Sequence, residues 1–162
     1  MKRGLKKIIV LLLCFTMLGT TSVVVSADGI DDVGKVVDGS ELTLENSAEK
    51  VINTLVRGNI LNQGTVRITN NENGTVNVFG AVYGSVKCDK MTLSLTLQRY
   101  SNGSWINVKS FSNTAYNTSL LTKSYNVSVT KGYYYRVKAA CVAQKNGASE
   151  SQMPVTDGIL IN

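Results

Sequence analysis

From residue 57 onward, apolar and polar residues alternate in short runs. Met91, Leu93, Leu95 and Leu97 interleave with Thr92, Ser94, Thr96 and Gln98, a period of two that predicts a half-buried strand over residues 90–100. Similar alternation predicts strands at 65–69, 75–83, 105–111, 124–129, 133–141 and 155–161. Asn73-Gly74, Asn102-Gly103 and Asn146-Gly147 fall between runs, and Asn-Gly favours tight hairpins because both residues tolerate positive φ. Seven short strands with no helical pattern between them predict an all-β, antiparallel sandwich over residues 58–162.

Ahead of these strands the pattern changes twice. Lys2, Arg3, Lys6 and Lys7 precede the apolar run Ile8 to Leu18, and small residues follow as far as Val25-Ser26-Ala27. Residues 1–27 therefore read as a secretory signal peptide cleaved after Ala27, with an extracellular destination. Residues 28–57 read as an acidic leader with two Asp-Gly pairs, a composition that favours turns and partial disorder. Within it, Asn46 with Glu49 resembles a capping box, and Ala48, Val51, Ile52 and Leu55 keep helical spacing. A short helix is expected over residues 47–57, ended by Gly58. The chain closes at Ile161-Asn162 without an apolar tail or sorting signal, so release or reversible retention is expected after export.

Charge sharpens that division. The net charge of +6 includes the four cations of the signal segment. Residues 28–56 carry seven acidic and two basic residues, whereas residues 57–162 carry eleven basic and four acidic. Such a break marks a boundary near Arg57-Gly58. The cations are scattered singly with no basic arm, and no nucleic-acid motif is present, so nucleic acid is not an expected partner. An anionic cell-wall polymer, a glycan or another surface protein suits an exported basic module better.

Candidate chemistry is sparse. The chain has no histidine, which removes the commonest general base and the commonest zinc ligand. Glu72, Asp89, Glu150 and Asp157, the carboxylates of the basic module, fall at turns or strand ends rather than as a pair across a substrate. No catalytic residue, metal or cofactor is expected. Cys88 precedes one strand and Cys141 ends its expected antiparallel neighbour, so a bridge would close a long loop and add about 2–4 kcal/mol. Their parities differ, however, and pairing needs a bulge at Asp89-Lys90. Two free, buried thiols are the alternative. The outward face of the same two strands offers Gln98, Tyr100, Tyr134, Arg136 and Lys138 as a candidate binding face, unless it is an ordinary solvated sheet surface. Trp105 suits either a sugar-stacking position or the sandwich edge.

Two resemblances add to this. Gly132 to Ala139, with Asn146-Gly147 and Glu150-Ser151, resembles the penultimate strand and last hairpin of fibronectin type III or immunoglobulin-like domains. That resemblance implies a corner tyrosine at Tyr133, its hydroxyl tied to upstream backbone. More widely, Leu95-Thr96-Leu97-Gln98-Arg99, Asn102-Gly103-Ser104-Trp105, the Gly132 to Val137 run, Glu150-Ser151 and Thr156-Asp157-Gly158-Ile159 together resemble an uncharacterised family of small secreted proteins from Gram-positive, clostridia-type anaerobes. It is classed as a domain of unknown function and carries no site residues over. The expectation is a non-enzymatic extracellular binding module. The alternative is a secreted effector, toxin or inhibitor whose acidic leader masks the basic module until it is removed. An extracellular enzyme comes third.

Overall fold

The computed structural model describes residues 30–54 and 60–162. The signal segment, the charge boundary at Arg57-Gly58 and the last residues of the expected helix lie outside the described residues. A 3-10 turn at Ile30–Asp32 comes first. Nine strands follow: β1 (Val36–Val37), β2 (Ser40–Thr43), β3 (Ser47–Asn53), β4 (Leu61–Asn70), β5 (Thr75–Ser101), β6 (Ser104–Ser128), β7 (Tyr133–Lys145), β8 (Ala148–Gln152) and β9 (Gly158–Ile161). The chain is nearly all β, as its alternation predicts, but the strands form one mixed sheet in the order β1-β2-β9-β7-β5-β4-β3. β6 pairs with β5, and β8 with β7. β2 runs parallel to β9. The sheet curls into a half-barrel.

Two strands are far longer than the sequence suggests. The expected strands 75–83 and 90–100 are one strand, β5, and 105–111 and 124–129 are both parts of β6. The ribbon they form bends where the register jumps from Tyr83↔Leu120 to Cys88↔Thr118. Four residues of β5 there oppose one of β6, so the inward side of β5 switches from Val76, Val78 and Val82 to Met91, Leu93, Leu95 and Leu97. Past the bend the two halves face each other. A Cβ on Gly80 would stand 2.6 Å from Leu95 Cδ2 and 3.2 Å from Leu93 Cδ1. Farther out, the Phe111 and Tyr125 rings of β6 stack at 4.0 Å. One apolar core therefore fills the bend, with Val66 and Ile68 of β4 against Val137 and Ala139 of β7.

Two of the three expected Asn-Gly turns are tight hairpins, while β4 and β5 are joined over residues 71–74 with positive φ at Glu72 (63) and Gly74 (74) rather than at Asn73. Asn102-Gly103 (φ 52 and 79) and Asn146-Gly147 (φ 49 and 79) have positive φ at both central residues, as does Asp38-Gly39 (φ 51 and 76). The expected helix over 47–57 is not found among the described residues. Residues 47–53 form β3, which pairs with β4 from Ser47↔Thr69 to Asn53↔Gln63. A helix of about ten residues is marginal alone, whereas the β4 edge offers a ladder seven residues long. Asn46 caps nothing helical. Its carbonyl accepts from Asn70 N at 2.8 Å. The tie-back tyrosine is Tyr135 rather than Tyr133: its hydroxyl donates to Thr130 O at 2.8 Å, while Arg99 lies over the Tyr133 ring at 4.5 Å.

Candidate functional site

β5 and β7 are antiparallel neighbours with Gln98↔Arg136 and Thr96↔Lys138 in register, so the sequence-derived binding face is assembled as expected. It is not open. Tyr100, Tyr134 and Arg136 are buried at 1, 0 and 2% exposure, Gln98 is half-buried, and Lys138 alone of the five is exposed. What covers them is the acidic segment. Tyr100 and Tyr134 form a second small core with Leu42 of β2 and Leu160 of β9, flanked by Val37 and Trp105. Trp105, at the start of β6, donates its indole N–H to Val37 O of β1 at 3.1 Å. The curl thus brings β1 round to β6 and closes over the tyrosines.

Arg136 is the tie. Its Nη1 donates to Ser40 Oγ (2.9 Å), Asp38 O (3.1 Å) and Val37 O (3.4 Å). Nη2 pairs with Asp38 Oδ2 at 2.6 Å, Nε donates to Gln98 Oε1 at 2.8 Å, and the guanidinium lies 4.3 Å from the Trp105 ring centre. A buried cation needs such a set, because its desolvation is offset only by full hydrogen bonding. The Arg136 hydrogen bond, with its charge, holds the Asp38 carboxyl below the ordinary aspartate value. Neighbouring contacts lock the segment further. Ser40 Oγ donates to Thr156 O at 2.7 Å, and Glu41 N to Asp157 Oδ1 at 2.9 Å. Gly158 makes room for the assembly, since a Cβ there would lie 2.7 Å from Trp105 Cη2 and 3.0 Å from Leu42 Cδ2.

One gap is left at this closure. A cleft of about 260 Å³ opens between the β1–β2 turn and the β5–β6 turn, lined by Val37, Asp38, Gln98, Gly103, Ser104, Trp105 and Arg136. The Asp38 side chain on its rim is 78% exposed. Gln98 is fixed on both ends, accepting from Arg136 and donating to Asn107 Oδ1 at 2.9 Å. The cleft therefore combines an indole, a carboxylate and rigid amide and guanidinium groups in the mouth of a curled sheet, a usual place for a ligand. Asp38 and the partnership of leader with Trp105 were beyond sequence reasoning. The available signal was the opposite charge of the two segments.

The remaining candidates are structural. Cys88 and Cys141 are both buried, free thiols. Leu93↔Cys141 and Lys90↔Gln144 put Cys88 level with Asn146, five residues from Cys141. That offset is on the order of 16 Å along a strand, and a bridge needs Cα atoms within about 7 Å. Burial pushes the Cys141 thiol up to about 12 and raises Cys88 as well, which suits neither for nucleophilic attack. The four module carboxylates are dispersed. Glu150 accepts from Ile60 N and Leu61 N, Asp89 from Asn146 N and Lys145 Nζ, Asp157 from Glu41 N, and Glu72 sits in the β4–β5 turn facing Asn46 Nδ2 at 3.5 Å. Among the described residues no group of three or more Cys, Asp or Glu could hold a metal ion, and no helix is long and apolar enough to cross a membrane.

The fold and site together define an all-β module with a self-sealed aromatic–cationic face and a polar cleft at the seal. The chain belongs to a family of unknown function, DUF6147, whose profile matches residues 26–158. No curated protein matches it.

Proposed function

We propose that the protein is an exported, non-enzymatic binding module that takes a polyhydroxylated ligand, a sugar unit of a larger glycan, in the Trp105–Asp38 cleft. The convergence of Trp105, Asp38, Gln98 and Arg136 on one 260 Å³ opening carries this assignment. The indole offers apolar area to a sugar face, and the Asp38 carboxylate offers charge-assisted acceptance to hydroxyls. A polyanion suits the cleft less well, because the Arg136 charge is already matched by Asp38 and the carboxylate stands at the rim. Export rests on the basic and apolar segment at 1–27. An immunoglobulin-like ancestry of the curled sheet is supported by the Tyr135 tie-back and the facing halves of the long ribbon.

Trp105 is the only tryptophan, so its emission reports on the cleft directly. Titration with a panel of neutral and anionic oligosaccharides is expected to give saturable changes with a neutral sugar, insensitive to salt and about tenfold weaker in D38N. Binding confined to anionic polymers and abolished by salt would replace the cleft by the general basic field.

A second reading is favoured by the position of the acidic segment on the Arg136 face. There the segment is a removable mask over an effector surface. The mass of the natively exported protein separates the two: a start at Asp28 fits the binding module, and a start near Arg57 fits the mask.

A further inference from the structure

β5 has β6 along one side and β4 followed by β7 along the other, so β6 is flanked on one side only among the described residues. It is 25 residues long. The other sheet edges are short or charged: β1 has two residues, β8 five, and β3 seven with Glu49 and Lys50 among them. Proteins usually blunt a long edge with charge, proline, bulges or brevity. β6 has no proline, and its only charged residues are Lys109 and Lys123. Lys109 Nζ lies 5.8 Å over the strand's own Phe111 ring. Exposed apolar side chains gather along it, with Ile106 at 41%, Val108 at 45%, Leu120 at 47% and Tyr116 at 67%.

We propose that β6 is a homotypic interface, its Ser110–Tyr116 segment adding antiparallel to the same segment of a second copy. The segment lies between the register shift beside Lys109 and Asn117, whose positive φ of 53 ends the regular edge, so about 23 Å of strand is available for pairing. A two-fold axis through Asn113 sets Ser110 opposite Tyr116, Phe111 opposite Ala115 and Ser112 opposite Thr114 of the second copy. No like charges meet in this register, and each ring faces a small side chain, the pairing that cross-strand contacts favour. Phe111 and Ala115 lie on the half-buried side, and Ser112 and Thr114 on the exposed side. Both copies use the same edge, so association closes at the dimer.

Light scattering and sedimentation of the purified protein over about a hundredfold range of concentration test this. The expected result is a concentration-dependent dimer. S112K/T114K sets like charges across the axis on exposed positions, and it is expected to raise the dimer dissociation constant about tenfold or more without changing the circular dichroism, or the melting temperature at dilutions where both proteins are monomeric. Mixing it with S112E/T114E is expected to restore a heterodimer. A wild type that stays monomeric throughout overturns the proposal. So does a folded S112K/T114K variant that dimerises like the wild type.

Discussion

Arg136 has five polar contacts and a ring to satisfy in a place where water reaches only 2% of it; four of the contacts come from the β1–β2 hairpin, and Gln98 and Trp105 supply the rest. Replacing it by Met keeps much of the apolar volume and leaves Ser40 Oγ and Gln98 Oε1 without their donor. Arg136→Met is expected to lower unfolding stability by about 1–3 kcal/mol, read from urea denaturation. Acid acts on the same tie from the other side. The folded Asp38 carboxyl titrates below its ordinary value of 3.8, so its stabilisation is complete above pH 3.8 and is lost as pH falls through the lower folded value. Trp105 emission is therefore expected to stay constant from neutral pH down to about 3.8 and to change below it, with D38N lacking that transition.

Single residues were unevenly legible in the sequence. The inward parity of Leu93, Leu95 and Leu97 and the positive-φ hairpins at Asn102-Gly103 and Asn146-Gly147 are local properties, and both are found. The cysteines depended on register between distant strands. The alternation shows that their parities differ but not how far apart the register sets them, and it cannot show the shift of the corner tyrosine from Tyr133 to Tyr135, which share a parity. Thiol titration is expected to find both Cys88 and Cys141 unreactive in the native protein and both reactive in urea.

Among the elements, the β1–β2 hairpin changes the picture most. Its composition suggests a solvated leader, yet it supplies a strand parallel to β9 and a lid on the tyrosines. Leu42 is the apolar anchor at 0% exposure. Leu42→Ala is expected to cost about 2–5 kcal/mol and to shift Trp105 emission towards that of solvated indole. A loss confined to stability, with the emission of the folded state unchanged, would mean that the hairpin stays closed without its anchor. The helix expected over 47–57 failed for a tertiary reason. Its spacing is compatible with a helix, but the unpaired side of β4 offers seven residues of ladder. The division of β5 and β6 into four short strands missed residues 112–118 of β6, which continue the ladder from Ser94↔Ser112 to Cys88↔Thr118, and the bend of β5 between Tyr83 and Cys88. There an exposed stretch resembling a loop keeps the strand pairing going round a corner.

At the scale of the whole molecule, the curl decides what can bind. A two-layer sandwich with a free outer face would leave Tyr100, Tyr134 and Arg136 to a polymer. In the half-barrel the same residues become the inside of a second small core, and the surface that remains is the cleft at its mouth. The sequence identified the chemistry of this region, aromatic rings beside cations on neighbouring strands, because strand alternation reveals which residues share a face. It did not identify the cover, because pairing of residue 42 with residue 158 leaves no local trace. Amide NMR of the intact protein, titrated with neutral oligosaccharides, tests the cleft most directly. Binding there predicts shifts concentrated at Asp38, Gln98, Gly103, Ser104 and the Trp105 indole N–H. An absence of shifts, or shifts gathered on another face such as that of Phe79 and Tyr83, would contradict it.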